Sequence, residues 1–525
     1  MSSPKPAPAF SRRQILHGFA AVAASSVLSG CGTTLFRAVT ASPSKQSPPS
    51  NVPVPPTGPA LPPPAPPVTT PQPLPIGAIT AASMTVAGNT VGTFGRGFVG
   101  LSYPKQALYT PLFNGANSDL IGLFKRLGGG VLRIGGSSVD QNVWTPDGKG
   151  QTPGQIAPSD VDALASFLQA AGWTCIYAVN LGGSATGATS PALAAAEVAY
   201  VSQQLGVSLA GIELGNECET YGNPGSYYAC NWTIERFESL WMQYREAIVA
   251  VTPAAPLIGP AAGSDVNSWT IPFGEYVTAS QINLLTQHYY RGDASTATVN
   301  DLVSPDPALL SYLQQMRYGA ASIDVPFRIA ECNSYSGGGS AGVSNAYASS
   351  LWAIDMIFNC ALGRASGVNF DGGSQQADTP IADNQGSVLG AQPIYYGLLM
   401  AAMAGQGTLL STQLSAGSLN ATGYAIQNSD GGMSLVVVNK DATQNLALSI
   451  ALPASMTSAT LQAMTQLSSG ATLPSLAALS GVTIQGASVA LDGGFTPGTS
   501  YDLTVTGQQL SCYVPALSAV LIQLT

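Results

Sequence analysis

From about residue 98 the chain switches repeatedly between two hydrophobic periods. Short apolar runs bounded by Gly or Pro are each followed by a longer stretch with apolar positions at helical spacing. The runs at 98–103, 130–136, 173–180, 210–217, 256–260, 282–290, 326–331 and 367–371 predict strands. The stretches at 118–127, 159–171, 191–205, 234–251, 268–278, 307–318, 344–362 and 393–403 predict helices. Eight such pairs match the α/β class and the (β/α)8 barrel, whose strands are apolar on both faces because helices cover the outside. A doubly wound open sheet is the alternative. It lacks a Gly-rich phosphate loop after the first strand.

Beyond residue 406 the period shortens. β-Branched runs at 433–439, 446–452, 501–505 and 519–524, separated by turn residues, predict a β-sandwich. Residues 76–93 alternate through Ser83, Met84, Thr85 and Val86 and then turn at Gly88 and Asn89. They are expected to add one or two strands to that sandwich. The expected organisation is therefore a leader at 1–31, a tether at 32–75, the joining strand at 76–93, a barrel at 94–406 and a sandwich at 407–525.

The leader carries Arg12 and Arg13 before a small apolar run, and then Leu28, Ser29, Gly30 and Cys31. That is the pattern of a twin-arginine export signal ending in a lipobox, with Cys31 as the lipidated residue. An exported protein, periplasmic or anchored at the outer membrane, is expected, touching the membrane only through its lipid. The Pro-rich stretch 42–75 should be an extended, coreless spacer.

Composition removes several kinds of chemistry. The chain holds two histidines, His17 and His288, so a multi-histidine metal site is excluded and a Ser-His-Asp triad could draw only on His288. A net charge of −9 offers no basic surface for nucleic acid. No metal or cofactor is expected. Carboxylate chemistry remains. Glu217 ends the fourth strand run behind Gly215 and Asn216, and Glu331 ends the seventh. Alone, either is an ordinary polar strand end. Two carboxylates on the rim of one barrel are what cleavage of a glycosidic bond requires.

Three local stretches carry a resemblance: Glu213, Leu214, Gly215, Asn216, Glu217; then His288, Tyr289, Tyr290; then Glu331 to Gly339, reading Glu-Cys-Asn-Ser-Tyr-Ser-Gly-Gly-Gly. Together with Leu132, Arg133, Ile134, Gly135 and Gly136, they resemble glycoside hydrolase family 79, the heparanase-like β-glucuronidases, across about residues 76–525. The resemblance implies that Glu217 is the acid/base and Glu331 the nucleophile of a retaining β-glucuronidase. Asn216 would meet a sugar 2-hydroxyl, Tyr290 would hold Glu331, and His288 would support both. Gly337 and Gly338 would offer backbone amides to a uronate carboxylate. Ser102, Gly136, Ser137, Asn333 and Tyr335 complete the expected substrate contacts.

The chain departs from that family in two places. Tyr335 stands one position early, with Ser336 where the loop tyrosine belongs. The loop after the eighth strand has Asp378 where another tyrosine is expected, and an ionised Asp378 would repel a uronate. A neutral glycone such as glucose or xylose is therefore the alternative, and a non-catalytic carbohydrate-binding lipoprotein the competing class. Arg133 and Glu213 are expected to pair structurally inside the barrel. Cys218 and Cys230 bracket a Gly- and Pro-containing loop that a disulfide could close in an exported protein.

Overall fold

The computed structural model describes residues 70–229, 231–263, 266–467 and 473–525. The twin arginines, Cys31, most of the Pro-rich stretch and Cys230 lie outside the described residues.

Eight parallel strands, one to eight in chain order, form one sheet: Val99–Pro104, Val131–Gly135, Thr174–Val179, Leu209–Leu214, Gly259–Ala262, Leu285–Asp293, Phe327–Ser336 and Val368–Asp371. Ladders join strand one to two, three and four, and run back from one through eight, seven and six to five. Between strands four and five the pairing shrinks to a single bridge, Ile212 to Leu257. There Ile212 N–H donates to the Pro256 carbonyl (2.9 Å) and Ile258 N–H to the Ile212 carbonyl (3.0 Å). The barrel closes at that narrow seam.

The fifth strand, expected at 256–260, forms at Gly259–Ala262. Pro256 has no N–H to give to a ladder and lies outside the strand, whereas Pro260 is accommodated within it opposite Thr286. The other strands fall within a few residues of expectation, and all six residues of strand three are buried, as a sheet covered on both faces demands. The helices follow their caps. Asn117, Ser190 and Asp306 side chains accept the N–H of Leu120, Leu193 and Leu309, starting Ser118–Arg126, Pro191–Leu205 and Pro307–Ser322.

Most of the remaining strands form one continuous curled sheet. Its spine is the long strand Ala78–Phe94, which pairs antiparallel with Gly407–Ser415 and parallel with Gln444–Ala451. The expected sandwich thus has its layers joined by the strand that precedes the barrel. A separate core fills the curl, including Met84, Val86, Leu435, Leu448 and Ile522. At its far end Phe94 stacks on Phe98 and Phe358 (4.8 and 5.5 Å between ring centres), fastening sheet to barrel. Gly92 makes that approach possible, since a Cβ there would lie 2.4 Å from the Ala361 carbonyl oxygen.

Candidate active site

The barrel mouth is wired by one side chain from strand two. Arg133 is fully buried, and its guanidinium reaches four partners. Nε donates to Glu213 Oε2 (2.7 Å), Nη1 to Glu331 Oε2 (2.7 Å) and Ser102 Oγ (3.3 Å), and Nη2 to Asn216 Oδ1 (2.8 Å). Strands one, two, four and seven therefore meet at a single cation. A buried ion pair is tolerable only when its donors are satisfied in this way. Gly135 leaves the space, as a Cβ there would sit 2.4 Å from Arg133 Cζ.

Glu331 sits on strand seven, nearly buried. Tyr290 on strand six donates its hydroxyl to Glu331 Oε1 (2.9 Å) while Arg133 holds Oε2. Burial opposes ionisation of Glu331. The charges of His288 and Arg133, and the bonds from Tyr290 and Arg133, outweigh it and hold the carboxyl below the usual glutamate range. The group is an anion fixed in place.

Glu217 comes after strand four in left-handed backbone (φ 48°), two residues beyond Gly215 (φ 79°). Its N–H donates to the Ala261 carbonyl at 2.8 Å. A third of its side chain is exposed, and Oε1 lies 3.0 Å from Nδ1 of the fully buried His288. The same Nδ1 is 3.7 Å from Glu331 Oε1. Burial disfavours a charged His288, but the nearby Glu331 and the bond to Glu217 raise its pKa above the usual value.

One oxygen from each glutamate and the imidazole nitrogen lie within 4.8 Å of one another, close enough to share a cation. The donor set fits one poorly, because Arg133 already supplies a positive charge to Glu331.

The other expected contacts divide. His288 and Tyr290 bond directly to Glu217 and Glu331, whereas Ser102 and Asn216 reach the site through Arg133. Gly136 (φ 71°) and the exposed Ser137 turn at the rim after strand two. Gly337 (φ 78°) has open space around it, and Gly338 (φ 87°) packs against Gln376.

Two residues do other work. Asn333 commits its amide to backbone, donating to the Asp371 and Asp378 carbonyls (2.7 and 2.8 Å) and accepting from Ser334 N–H. It braces the loop behind strand eight. Tyr335 turns to Asp301 (2.8 Å), because the Arg291–Asp301 ion pair gives its phenol a charged partner.

The expected ionised Asp378 also needs correction. Its carboxyl is completely buried with neither oxygen partnered by protein, and burial, with a contribution from Glu331, pushes its pKa up to about 7. Asp371, at the end of strand eight opposite Ser102, is a site residue that the sequence reading missed. Burial first, then Glu331 and Asp378, raise its pKa well above the ordinary range. A signal for it exists: Asn369 and Asp371 are two apart on one strand, and Asn369 faces the barrel interior beside Arg328. Cys218 is a buried thiol pointing at the Leu214 carbonyl (3.7 Å), and the partner considered for it, Cys230, lies outside the described residues.

Fold and site together define a (β/α)8 barrel with an attached curled sheet and two adjacent glutamates in its mouth. No family model matches the chain. A β-glucuronidase of Aspergillus niger is 24% identical over 306 residues, covering 52% of this chain and 56% of that enzyme. The match thus spans little more than half of that relative. Among solved structures, a 4-O-α-L-rhamnosyl-β-D-glucuronidase from Fusarium oxysporum superposes with TM-score 0.68 at 17% identity, covering 83% of this chain and 99% of that one. A GH51 arabinofuranosidase from Xanthomonas axonopodis pv. citri gives TM-score 0.64 at 16% identity, covering 85% and 100%. These likenesses establish the architecture.

Proposed function

We propose that the protein is a retaining β-glycoside hydrolase, with Glu331 as nucleophile and Glu217 as acid/base, and that its glycone is β-D-glucuronic acid. One observation carries the reaction type: oxygens of the two carboxylates lie within 4.8 Å of each other. Retaining enzymes place their carboxyl groups about 5–5.5 Å apart, and inverting ones leave room for a water between them.

In the first step Glu331 attacks the anomeric carbon, the bond to the aglycone oxygen breaks, and Glu217 gives that oxygen its proton. In the second, Glu217 takes a proton from water, which displaces Glu331 from the anomeric carbon. Arg133 and Tyr290 keep Glu331 ionised and aimed. Asn216, fixed through its Oδ1 by Arg133, is positioned to donate its amide N–H to a 2-hydroxyl.

The glucuronide glycone is supported by the resemblance at residues 213–217, 288–290 and 331–339 and by the A. niger and F. oxysporum relatives, both of which are glucuronidases. A neutral glycone is the second reading, favoured by Tyr335 lying against Asp301 and by Asp371 at the mouth. A non-catalytic sugar-binding protein leaves the ionised, doubly held Glu331 without a purpose. In the same proposal Cys31 anchors the enzyme as an exported lipoprotein.

The test is hydrolysis of p-nitrophenyl β-D-glucuronide, glucoside, xyloside and galactoside, with the first-formed anomer read by NMR. The β-anomer of glucuronic acid is expected, and Glu331→Gln should cut turnover by more than about 10⁴-fold. An α-anomer overturns retention, preference for a neutral sugar overturns the glycone, and no turnover of any of the four favours the binding protein.

A further inference from the structure

Glu219 is a third carboxylate at the end of strand four, and the two-step reaction gives it no task. It lies on the short turn Cys218–Gly222 that begins right after Glu217. Its Oε1 accepts the Gly263 N–H at 2.6 Å, and its Oε2 is buried with no protein partner. Gly263 comes just after strand five and lies directly against the Glu217 side chain. A Cβ on it would stand 2.3 Å from Glu217 Oε1, 2.7 Å from Cδ and 3.0 Å from Cγ. Those distances are well inside van der Waals contact, so any side chain at 263 must displace the carboxyl. The end of strand five thus grips the acid/base turn twice. Ala261 takes the Glu217 N–H through its carbonyl, and Gly263 gives its own N–H to Glu219.

We propose that Glu219 and Gly263 form a seat that positions the Glu217 carboxyl for proton transfer, Gly263 by leaving it room and Glu219 by clamping the Gly263 backbone. The clamp is a charge-assisted hydrogen bond, stronger than a neutral one. The seat rests on the glycosidase reading of Glu217. On the opposite side His288 of strand six holds Oε1 at 3.0 Å, so the carboxyl is confined between an imidazole and a bare backbone. The charges around it are His288, Glu331 behind that imidazole, and Glu219 on its own turn. Two neighbouring carboxyls resist double ionisation. Burial and the charge of Glu217 accordingly raise the pKa of Glu219.

Proton donation matters in proportion to how poor the leaving group is, which separates positioning from a general structural effect. With aryl glycosides of the preferred sugar, Gly263→Ala should lower kcat/KM for a phenyl leaving group about 10²-fold. The same variant should change kcat/KM for 2,4-dinitrophenyl by less than about threefold, since that group leaves unaided. Glu219→Gln should show the same selectivity more weakly. A crystal structure of Gly263→Ala should show the Glu217 carboxyl displaced from His288 Nδ1. Equal losses for all leaving groups, or an unmoved carboxyl, would overturn the seat. A wild-type enzyme inert on every glycoside sinks the parent reading instead, and the carboxyl position in Gly263→Ala then decides on the seat alone.

Discussion

Arg133 and Arg328 are buried in the same barrel and satisfied in opposite ways. Arg133, near the mouth, meets two carboxylates, an amide and a hydroxyl. Arg328, on strand seven near the floor, meets only neutral oxygens: Asn369 Oδ1 (2.5 Å) and the carbonyls of Gly97 and Phe98 (3.1 and 3.3 Å). With no acid beside it, burial lowers the Arg328 pKa to about 9. It still carries its charge at neutral pH, held by dipoles. Its neighbours are trimmed to fit, since a Cβ at Gly367 would lie 1.9 Å from Nη1. A buried cation surrounded by carbonyls ties the floor of a barrel together. A buried cation surrounded by acids keeps a neighbouring carboxyl, Glu331, below its ordinary pKa.

Replacing each arginine by Met should separate the two roles. At position 133 the change strands Glu213 and Glu331 without their cation, at a cost of about 3–5 kcal/mol for a broken buried pair. Turnover should fall about 10³-fold. The pKa of Glu331, now held down by Arg133, should rise, so the acidic limb of the pH-rate profile moves to higher pH. Lys at 133 should restore charge but little activity, because an ammonium lacks the fork that reaches four partners. Full activity in Arg133→Met would end the comparison.

Arg328→Met leaves Asn369 and two carbonyls short of a donor, costing about 1–3 kcal/mol. It should lower Tm and leave kcat unchanged; a folded but inactive variant would show that the floor also takes part in the chemistry.

The smallest expected effect belongs to Asp378, an acid buried with no cation at all. Its folded pKa, about 7, lies above the ordinary value for an unfolded chain. Its contribution to stability is therefore complete below about pH 4 and is lost as pH rises through about 7. Asp378→Asn should flatten the decline in Tm across that window and raise Tm at pH 8. A wild-type Tm that climbs from pH 4 to 7, with no difference in the variant, contradicts a buried protonated acid.

The barrel is legible in the sequence because its strands are apolar on both faces and several of its helices open on Asn117, Ser190 and Asp306 caps, so period and punctuation agree. The curled sheet is less so. Gly407–Ser415, Ala421–Asn428 and Ala459–Gln466 mix Thr, Gln and Ser with apolar residues, and no strict alternation announces them. Glu217 can be found because it is among the first polar residues after a hydrophobic run, and Glu331 because an acid follows Ile329 and Ala330, although the strand expected to end there continues to Ser336. Arg133 can be placed on strand two and paired with Glu213, but its bonds to Glu331, Asn216 and Ser102 depend on strands distant in sequence. Tyr335 is misjudged for the same reason, its partner Asp301 lying on the short helix Val299–Val303. Gly263 matters through a close approach that no local pattern encodes.

The seam between strands four and five has one more consequence. Strand seven, which carries Glu331, is laced to strand six from Leu285 to Asp293, whereas strand four is joined to strand five by a single bridge. Breathing is cheapest where the fewest backbone bonds must break. One wall of the mouth is thus stitched along its length, and the other is held mainly at its lip, where the Glu217 N–H meets the Ala261 carbonyl and the Gly263 N–H meets Glu219. In the proposed reaction the acid/base stands on the sparsely paired wall and depends on the bonds at its own turn to keep its place through both proton transfers.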